Sequence, residues 1–463
     1  MLLARGIEVL YFAPSALQDS DTSNLGRCPR LVHFAPLALR PGVFATICLR
    51  HRSHSYLMDP IDQKPLTETF EVEIERLLPG GVGLAHAGSL TLFVALAAPA
   101  DLVRVKVDRV QGKVGFASIV EIVRPSPVRV EPPCPYFGLC GGCDFQQLTY
   151  EAQLEAKVEI IRDCLHRIAR IDGPLDIPIQ GSPKEWHYRA RAMWQVDAST
   201  RKLGYFVRGS RDVCDVEYCA VLIPPLQDTL EKVRAEINTA ASTPHRRDIE
   251  VVAGDDGISL SPAIAGFQTR EVMRVVGDEI YHFNAEAFFQ INHELLAPLV
   301  AEAVGEDTGR IAIDLYCGVG LFTLPLARRF QEVIAVESNK LATRFARRNV
   351  DSAGLQNTEV VTLDVGEWLP SYRSFEPIDV LLLDPPRTGA ENRVISGIIG
   401  LRPDRIVYVS CDPATLARDL KKLMAAGYSL DKIKAFDMFP QTHHVETVVH
   451  LSLPAREEEE LLL

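Results

Sequence analysis

IAIDLYCGVGLFTLPLARRF, residues 311–330, decides the fold. An apolar run ends in Asp314, a tight glycine pair follows, and then apolar residues recur at helical spacing. Gly318 and Gly320 let the backbone turn sharply into the next helix and approach a ligand closely. Further strands follow at VIAVES, TEVVTLD, IDVLLLD and RIVYVSC, with VETVVHLSL last. Helices are expected at LFTLPLARRF, KLATRFARRNVDSA and ATLARDLKKLMAA. This alternation from Asp307 onward predicts an α/β, mostly parallel, doubly wound sheet. Ligands of such sheets sit beyond the carboxyl ends of the strands. The residues found at those ends are Asp314, Glu337, Asp364, Asp384 and Cys411.

Their chemistry is specific. A dinucleotide fingerprint wants a third small residue where Thr323 stands, and no phosphate-binding lysine follows. Glu337, one βα unit after the glycines, is placed to accept both hydroxyls of a ribose, and Asp364 to reach an adenine. Together with Gly318 these acids point to S-adenosylmethionine; the bland alternative for each is a helix N-cap. In LLLDPPR, Asp384 precedes two prolines that stiffen the edge, which suits recognition of a planar base or simply makes a sharp turn. Cys411 precedes Asp412-Pro413, a cap and first-turn pair. A thiol beside a helix N-terminus is expected to have a lowered pKa and to be a stronger nucleophile. Cys317, inside the glycine motif, is read as packing. In FPQTHHVETVVHL, Glu446 opens the last strand, where it can lie beside Cys411; His443 and His444 are alternative bases or RNA contacts. In AFFQIN, Phe288 and Gln290 either stack and orient a base or pack a linker.

Ahead of this unit lies CPYFGLCGGC, residues 134–143. Cys134, Cys140 and Cys143 place three thiolates in one glycine-flexed loop, as a metal or iron–sulfur cluster requires. Cys219 is the best fourth ligand and Cys214 the second. A helix follows at EAQLEAKVEIIRDCLHRIARI, with Leu154, Val158, Ile161, Leu165 and Ile168 as its apolar stripe and Cys164 packing near it. HYRARAMWQV and RKLGYFVRGSR mix cations with aromatics, either to grip RNA or as a solvated strand face. Short strands at FEVEIERL, LTLFVALA, LVRVKVDRV and VGFASIVEIV predict a small β-barrel, a fold that often binds oligonucleotides.

The expected divisions are a poorly patterned extension at 1–65, a β-barrel at 66–130, a central α+β segment at 131–290 and the doubly wound domain at 291–463. Disorder is expected in the extension, with Met58 as an alternative start, and the EEEELLL tail reads as a solvated end. A length of 463 residues supports several cores, and 47% apolar with 24% charged residues is ordinary for a globular protein. The net charge of −12 argues against non-specific nucleic-acid binding while permitting a local basic groove. No apolar run spans a bilayer, and no leader with a small-residue cleavage site is visible. Ten cysteines without a secretory signal imply a reducing compartment, so a cytoplasmic location is expected. No heptad seam is present, so a monomer is expected.

CPYFGLCGGC, YCAVL, FFQIN, DLYCGVG, VES, LLLDPPR, VSCDPATLARDL and HHVET together resemble the iron–sulfur RNA uracil-5-methyltransferases, over roughly 69–452 and in domain order. The resemblance implies a TRAM-type barrel, a cluster-bearing central domain and a Rossmann-like methyltransferase domain. It implies that Cys134, Cys140, Cys143 and Cys219 bind a [4Fe–4S] cluster, for which a structural role, ordering the RNA-facing central domain, is expected. Gln290, Tyr316, Glu337 and Asp364 would contact S-adenosylmethionine, Asp384 would lie between cofactor and base, and Phe288 would hold the uracil. Cys411 would be the nucleophile that attacks C6, and Glu446 the base that removes the C5 proton. Many members carry Asn where this chain has Leu321, so no contact is carried over there. The TRAM-type barrel and cluster together favour ribosomal over transfer RNA as substrate. Two rivals remain: amino methylation, which needs no nucleophilic cysteine, and a zinc-stabilised RNA-binding protein without activity.

Overall fold

The computed structural model describes residues 69–173, 175–239, 248–374 and 376–454. The expectations for residues 1–65, Met58 and the acidic tail lie outside the described residues.

The doubly wound unit is an eight-stranded sheet. Its central strand, Gly309–Leu315, pairs in parallel with Phe330–Glu337 on one side and Val380–Leu383 on the other. Thr358–Thr362 and Arg405–Ser410 extend it, again in parallel. Leu381, Leu382 and Leu383 are fully buried, as a central parallel strand covered on both faces must be. Direction then reverses. Glu446–Ser452 runs antiparallel to Arg405–Ser410, and Ser429–Phe436 runs antiparallel to Glu446–Ser452. That outer strand and the helix Asn392–Leu401 are not legible in the sequence. SLDKIKAF carries the charges of an edge strand, and NRVISGIIGL is rich in glycine and isoleucine, poor helix formers. The helix expected over 321–330 is confined to Thr323–Ala327.

Three smaller sheets precede this unit. The first has six strands in the order Thr69–Glu73, Leu102–Gln111, Val114–Arg124, Leu90–Val94, Val82–Ala87, Arg76–Leu78. Its two edge strands are separated in the chain only by Ile74 and Glu75, so the sheet curls until its edges meet. Val72, Leu92, Val94, Val103 and Val105 fill its interior. The second has five strands spanning Arg191–Ser261, backed by the helix Pro224–Thr239, and the third is the hairpin Val272–Val276 with Glu279–Phe283.

The helix Tyr150–Cys164 joins these units, and its buried face differs from the expected stripe. Leu154 and Val158 are only half-buried, whereas Gln153 and Lys157 are buried. The reason is polar. Lys157 Nζ pairs with Asp437 and donates to Phe439 O at 3.1 Å, while Gln153 Nε2 donates to Gln441 Oε1 at 3.0 Å. The far end of the helix packs Ile161, Cys164 and Leu165 into the same core as Leu416, Leu420 and Leu423 of the helix Pro413–Ala425. Cys164 is thus a packing residue, as expected. The chain then adds the strand Ile179–Gln180, in parallel, to the outer edge of the large sheet.

Lys157 and Asp437 are both fully buried. Burial pulls the Lys157 ammonium below its ordinary range, and the charge of Asp437 opposes that shift. Removing one partner strands the other charge in a dry interior. Lys157→Met is therefore expected to lower the unfolding free energy by about 3–5 kcal/mol in urea titrations, and the double substitution with Asp437→Leu to recover most of it.

Candidate active site and cysteine cavity

Sheet register builds the centre of the site. Ser410 lies opposite Thr447 in the antiparallel pair, so one further step places Cys411 opposite Glu446. Opposite residues of an antiparallel pair hold their Cβ atoms about 4.5–5.5 Å apart. On the other side, Val380–Leu383 pairs with Arg405–Ser410 through Leu383 and Tyr408, which brings Asp384 to the same sheet end. Nucleophile candidate, base candidate and Asp384 thus converge by backbone geometry alone.

The electrostatics of this trio are dominated by burial. Glu446 is 2% exposed, and its Oε1 has no hydrogen-bond partner among the described residues. Burial, reinforced by the charge of Asp384, pushes its carboxyl well above the ordinary range, so the buried site disfavours its ionised form. Asp384 is half-buried, and burial raises it to about 7. The expectation of a lowered Cys411 pKa is overturned. Asp412 does cap the helix Pro413–Ala425, accepting from Thr415 N at 2.8 Å. Burial nevertheless pushes the thiol up, and the charges of Glu446, Asp384 and Asp412 push it further. A half-charge at a helix end is weaker than desolvation among three carboxylates. The opposing cation is Arg387, directly after the Asp-Pro-Pro turn, which lowers both Cys411 and Glu446. Sequence reasoning assigns this arginine no role; the signal available for it is its position just beyond a strand-end acid.

The loop after the central strand is strained in the way a ligand cradle requires. Tyr316 has φ +63°, a left-handed conformation costly for a side chain that size, and is held by Tyr316 N donating to Val336 O at 2.8 Å. Gly318 has φ +56°, and a Cβ there would meet open space, so the loop faces a free volume. Glu337 Oε2 accepts from Gly318 N at 3.3 Å, and Oε1 accepts from Asn339 N at 2.7 Å. It braces the loop it was expected to serve. Asp364 caps the short helix Val365–Trp368, accepting from Gly366 N at 2.9 Å, and pairs with Arg393 at 3.0 Å. Behind the loop, Asp314 is fully buried; Thr323 Oγ1 donates to its Oδ2 at 2.5 Å, while Oδ1 has no partner among the described residues. Burial raises Asp314 to about 7, with the charges of Asp384 and Glu337 adding. Cys317 is buried beside it, in accord with packing.

In AFFQIN the packing role falls to Phe289, which stacks on Phe283 at 4.3 Å. Phe288 is 60% exposed, with the guanidinium of Arg191 5.9 Å above its ring. Arg191 is fixed by Ala285 O and Ala287 O at 2.8 and 2.9 Å. Gln290 is buried. This region is tied to the glycine loop through Tyr281, whose hydroxyl donates to Leu321 O at 2.9 Å.

The four expected thiols Cys134, Cys140, Cys143 and Cys219 line one cavity together with Arg189, Tyr205 and Gln146, whereas Cys214 lies outside it. Cys140 and Cys143 are each pushed up to about 12, first by burial and then by neighbouring thiols. The loop is pinned by Gly141 N donating to Phe206 O at 2.9 Å and Arg208 N to Leu139 O at 2.8 Å. Among the described residues no three ligand side chains converge on a single-ion position. The four thiols share one cavity, and thiolates are the donor type that zinc and iron–sulfur clusters take.

Of the raised carboxyls, Asp314 gives the plainest pH test, and the sign of its effect follows from its shift. An ordinary aspartate titrates at about 3.9. This one titrates at about 7 in the fold. Between those values the folded state binds the extra proton, so its stability falls as pH rises from about 4 to about 7 and is level above that. In Asp314→Asn this fall in unfolding free energy is expected to be smaller by on the order of 3 kcal/mol, read from urea titrations at about pH 4.5 and about pH 8.

The family model described as tRNA (Uracil-5-)-methyltransferase matches residues 265–453 of this chain. A 23S rRNA (uracil(1939)-C(5))-methyltransferase of Alkalilimnicola ehrlichii is 33% identical, over 82% of this chain and 96% of that one. An uncharacterized RNA methyltransferase of Gloeobacter violaceus is 32% identical, over 83% and 96%. Among solved structures, the tRNA (uracil-54, C5)-methyltransferase of Pyrococcus abyssi, in complex with S-adenosyl-L-homocysteine, superposes with a TM-score of 0.63 at 26% identity, over 82% of this chain and 100% of that one. Among the described residues no helix is long and apolar enough to cross a membrane.

Proposed function

The chain belongs to the RNA (uracil-5-)-methyltransferase family, and from that premise we propose that it transfers a methyl group from S-adenosylmethionine to C5 of a uridine in 23S-type ribosomal RNA. The observation that carries this reading is the register that sets Cys411 opposite Glu446 beside Asp384. Amino methylation has no use for such a pair. Ribosomal RNA is favoured because the 23S enzyme of Alkalilimnicola ehrlichii aligns over nearly its whole length. Transfer RNA is the second reading, supported by the Pyrococcus abyssi likeness.

C5 of uracil is a poor nucleophile. Attack of the Cys411 sulfur on C6 breaks the C5–C6 π bond and moves its electron pair onto C5 and the neighbouring carbonyl. S-adenosylmethionine, when bound, supplies the electrophilic methyl group. Glu446 then removes the remaining C5 proton, the double bond re-forms and the sulfur leaves. Both Cys411 and Glu446 must be ionised to act, and burial opposes ionisation of each. Arg387 is the cation that favours ionisation of the two together. Gln290, Tyr316, Gly318, Glu337 and Asp364 would hold the donor, with Asp384 between it and the base. Phe288, exposed under Arg191, would stack on an unstacked uracil, so a loop or flipped nucleotide is the expected target.

Cys134, Cys140, Cys143 and Cys219 would hold a [4Fe–4S] cluster, whose part is to order the loop between the curled six-stranded sheet and the five-stranded one. The six-stranded sheet, Thr69–Arg124, makes up the described part of the expected 66–130 segment, which is read as a TRAM-type barrel, with the segment 131–290 as the cluster-bearing domain and 291–463 as the methyltransferase domain. The chain is read as a cytoplasmic monomer.

The deciding experiment incubates Glu446→Gln with S-adenosylmethionine and RNA from cells lacking the enzyme, followed by a denaturing gel. A covalent RNA–protein band that disappears when Cys411→Ala is added is the expected result, and sequencing the trapped RNA names the uridine. No band, with the wild type still methylating RNA, would transfer the assignment to amino methylation. A second test reads the pH profile. Turnover is expected to rise with pH as the Cys411 thiol ionises, and Arg387→Gln to move that rise to higher pH.

A further inference from the structure

The segment Asp437–Val445 has no regular structure, yet Met438, Phe439, Gln441, Thr442 and Val445 are buried, and it delivers the chain directly to Glu446. What fixes it is the stretch immediately after the last cysteine of the loop. Asp144 N and Phe145 N both donate to Gln441 O, at 3.1 and 3.0 Å. Asp144 Oδ1 accepts from His443 N at 2.8 Å, and its Oδ2 meets His443 Nδ1. From the helix Tyr150–Cys164, Gln153 closes a two-way amide pair with Gln441, Gln441 N donating to Gln153 Oε1 at 2.9 Å. Gln441 itself sits at φ +69°, a conformation that persists only where its surroundings over-determine it. The contact is also close. A Cβ on Gly81 would stand 3.1 Å from His443 Cβ and 3.3 Å from Asp144 Cγ, so the glycine at φ +72° makes room for this junction.

We propose that Asp144 is a positioning residue for Glu446: through His443 and Gln441 it ties the segment carrying the base to the cysteine loop, so that ordering that loop and placing the base are one event. The inference rests on the methylation reading above for its kinetic consequence, and on hydrogen bonds alone for its structural one. His443 thereby serves as an anchor and not as a base.

The test uses the full-length protein with its native metal content. Asp144→Ala, which removes both acceptors, is expected to keep its iron and its RNA affinity, to lose amide-exchange protection over 438–445 by at least about tenfold, and to accumulate the covalent RNA–protein band seen with Glu446→Gln. Asp144→Asn, whose amide can still accept from His443 N and donate to Nδ1, is expected to behave as the wild type. Should Asp144→Ala lose iron, Gln153→Met cuts the tie from the helix, away from the cysteines, and the same two readouts apply. Wild-type exchange over 438–445 in the iron-retaining variant would overturn the proposal. So would lost turnover without a covalent band while Glu446→Gln still traps one. If Glu446→Gln traps nothing, the methylation reading falls, and the exchange result still decides the tie.

Discussion

The pairing of Arg405–Ser410 with Glu446–Ser452 is antiparallel in a sheet that is otherwise parallel at its centre, and the site depends on that reversal. In a wholly parallel sheet the residues at the carboxyl end are all strand-final. Reversal adds a strand-initial residue to the same end. Glu446 can therefore stand opposite Cys411 although the two come from opposite ends of their strands. The cost is crowding. Asp314, Asp384 and Glu446 share a poorly solvated region, and burial raises each, with neighbouring carboxylates adding at Asp314 and Glu446. Buried carboxyls crowded in this way cost stability, and such clusters are common where a protein does chemistry.

The cysteine cavity repeats the pattern with thiols. Four sulfurs line a cavity with Arg189, whose Nε has no hydrogen-bond partner among the described residues, and burial opposes ionisation of Cys140, Cys143 and Cys219. In both places the chain holds acidic groups in an arrangement that is electrostatically incomplete by itself.

Much of this is legible in the sequence. Strand-end acids stand out because short apolar runs stop at them, and the thiol loop because its spacing is tight. The pKa of Cys411 is misjudged because sequence shows the helix that follows a residue and not the carboxylates that tertiary structure gathers round it. The buried face of the helix Tyr150–Cys164 is misjudged for a related reason. Gln153 and Lys157 look like solvent-facing residues until their partners, nearly three hundred positions away, are known. Phe288 and Phe289 are adjacent and chemically identical, and only the stack on Phe283 tells them apart.

The strand Ile179–Gln180 has a topological consequence. It lies far ahead of the doubly wound unit in the chain, yet it is hydrogen-bonded to the outermost strand, Ser429–Phe436, and the helix before it covers the helix Pro413–Ala425. The catalytic fold is thus closed by a clasp borrowed from upstream. A fragment beginning near residue 265, where the family match begins, lacks that clasp. Its last strand would present unpaired backbone and its final helix a bare apolar flank, the two features that invite edge-to-edge association.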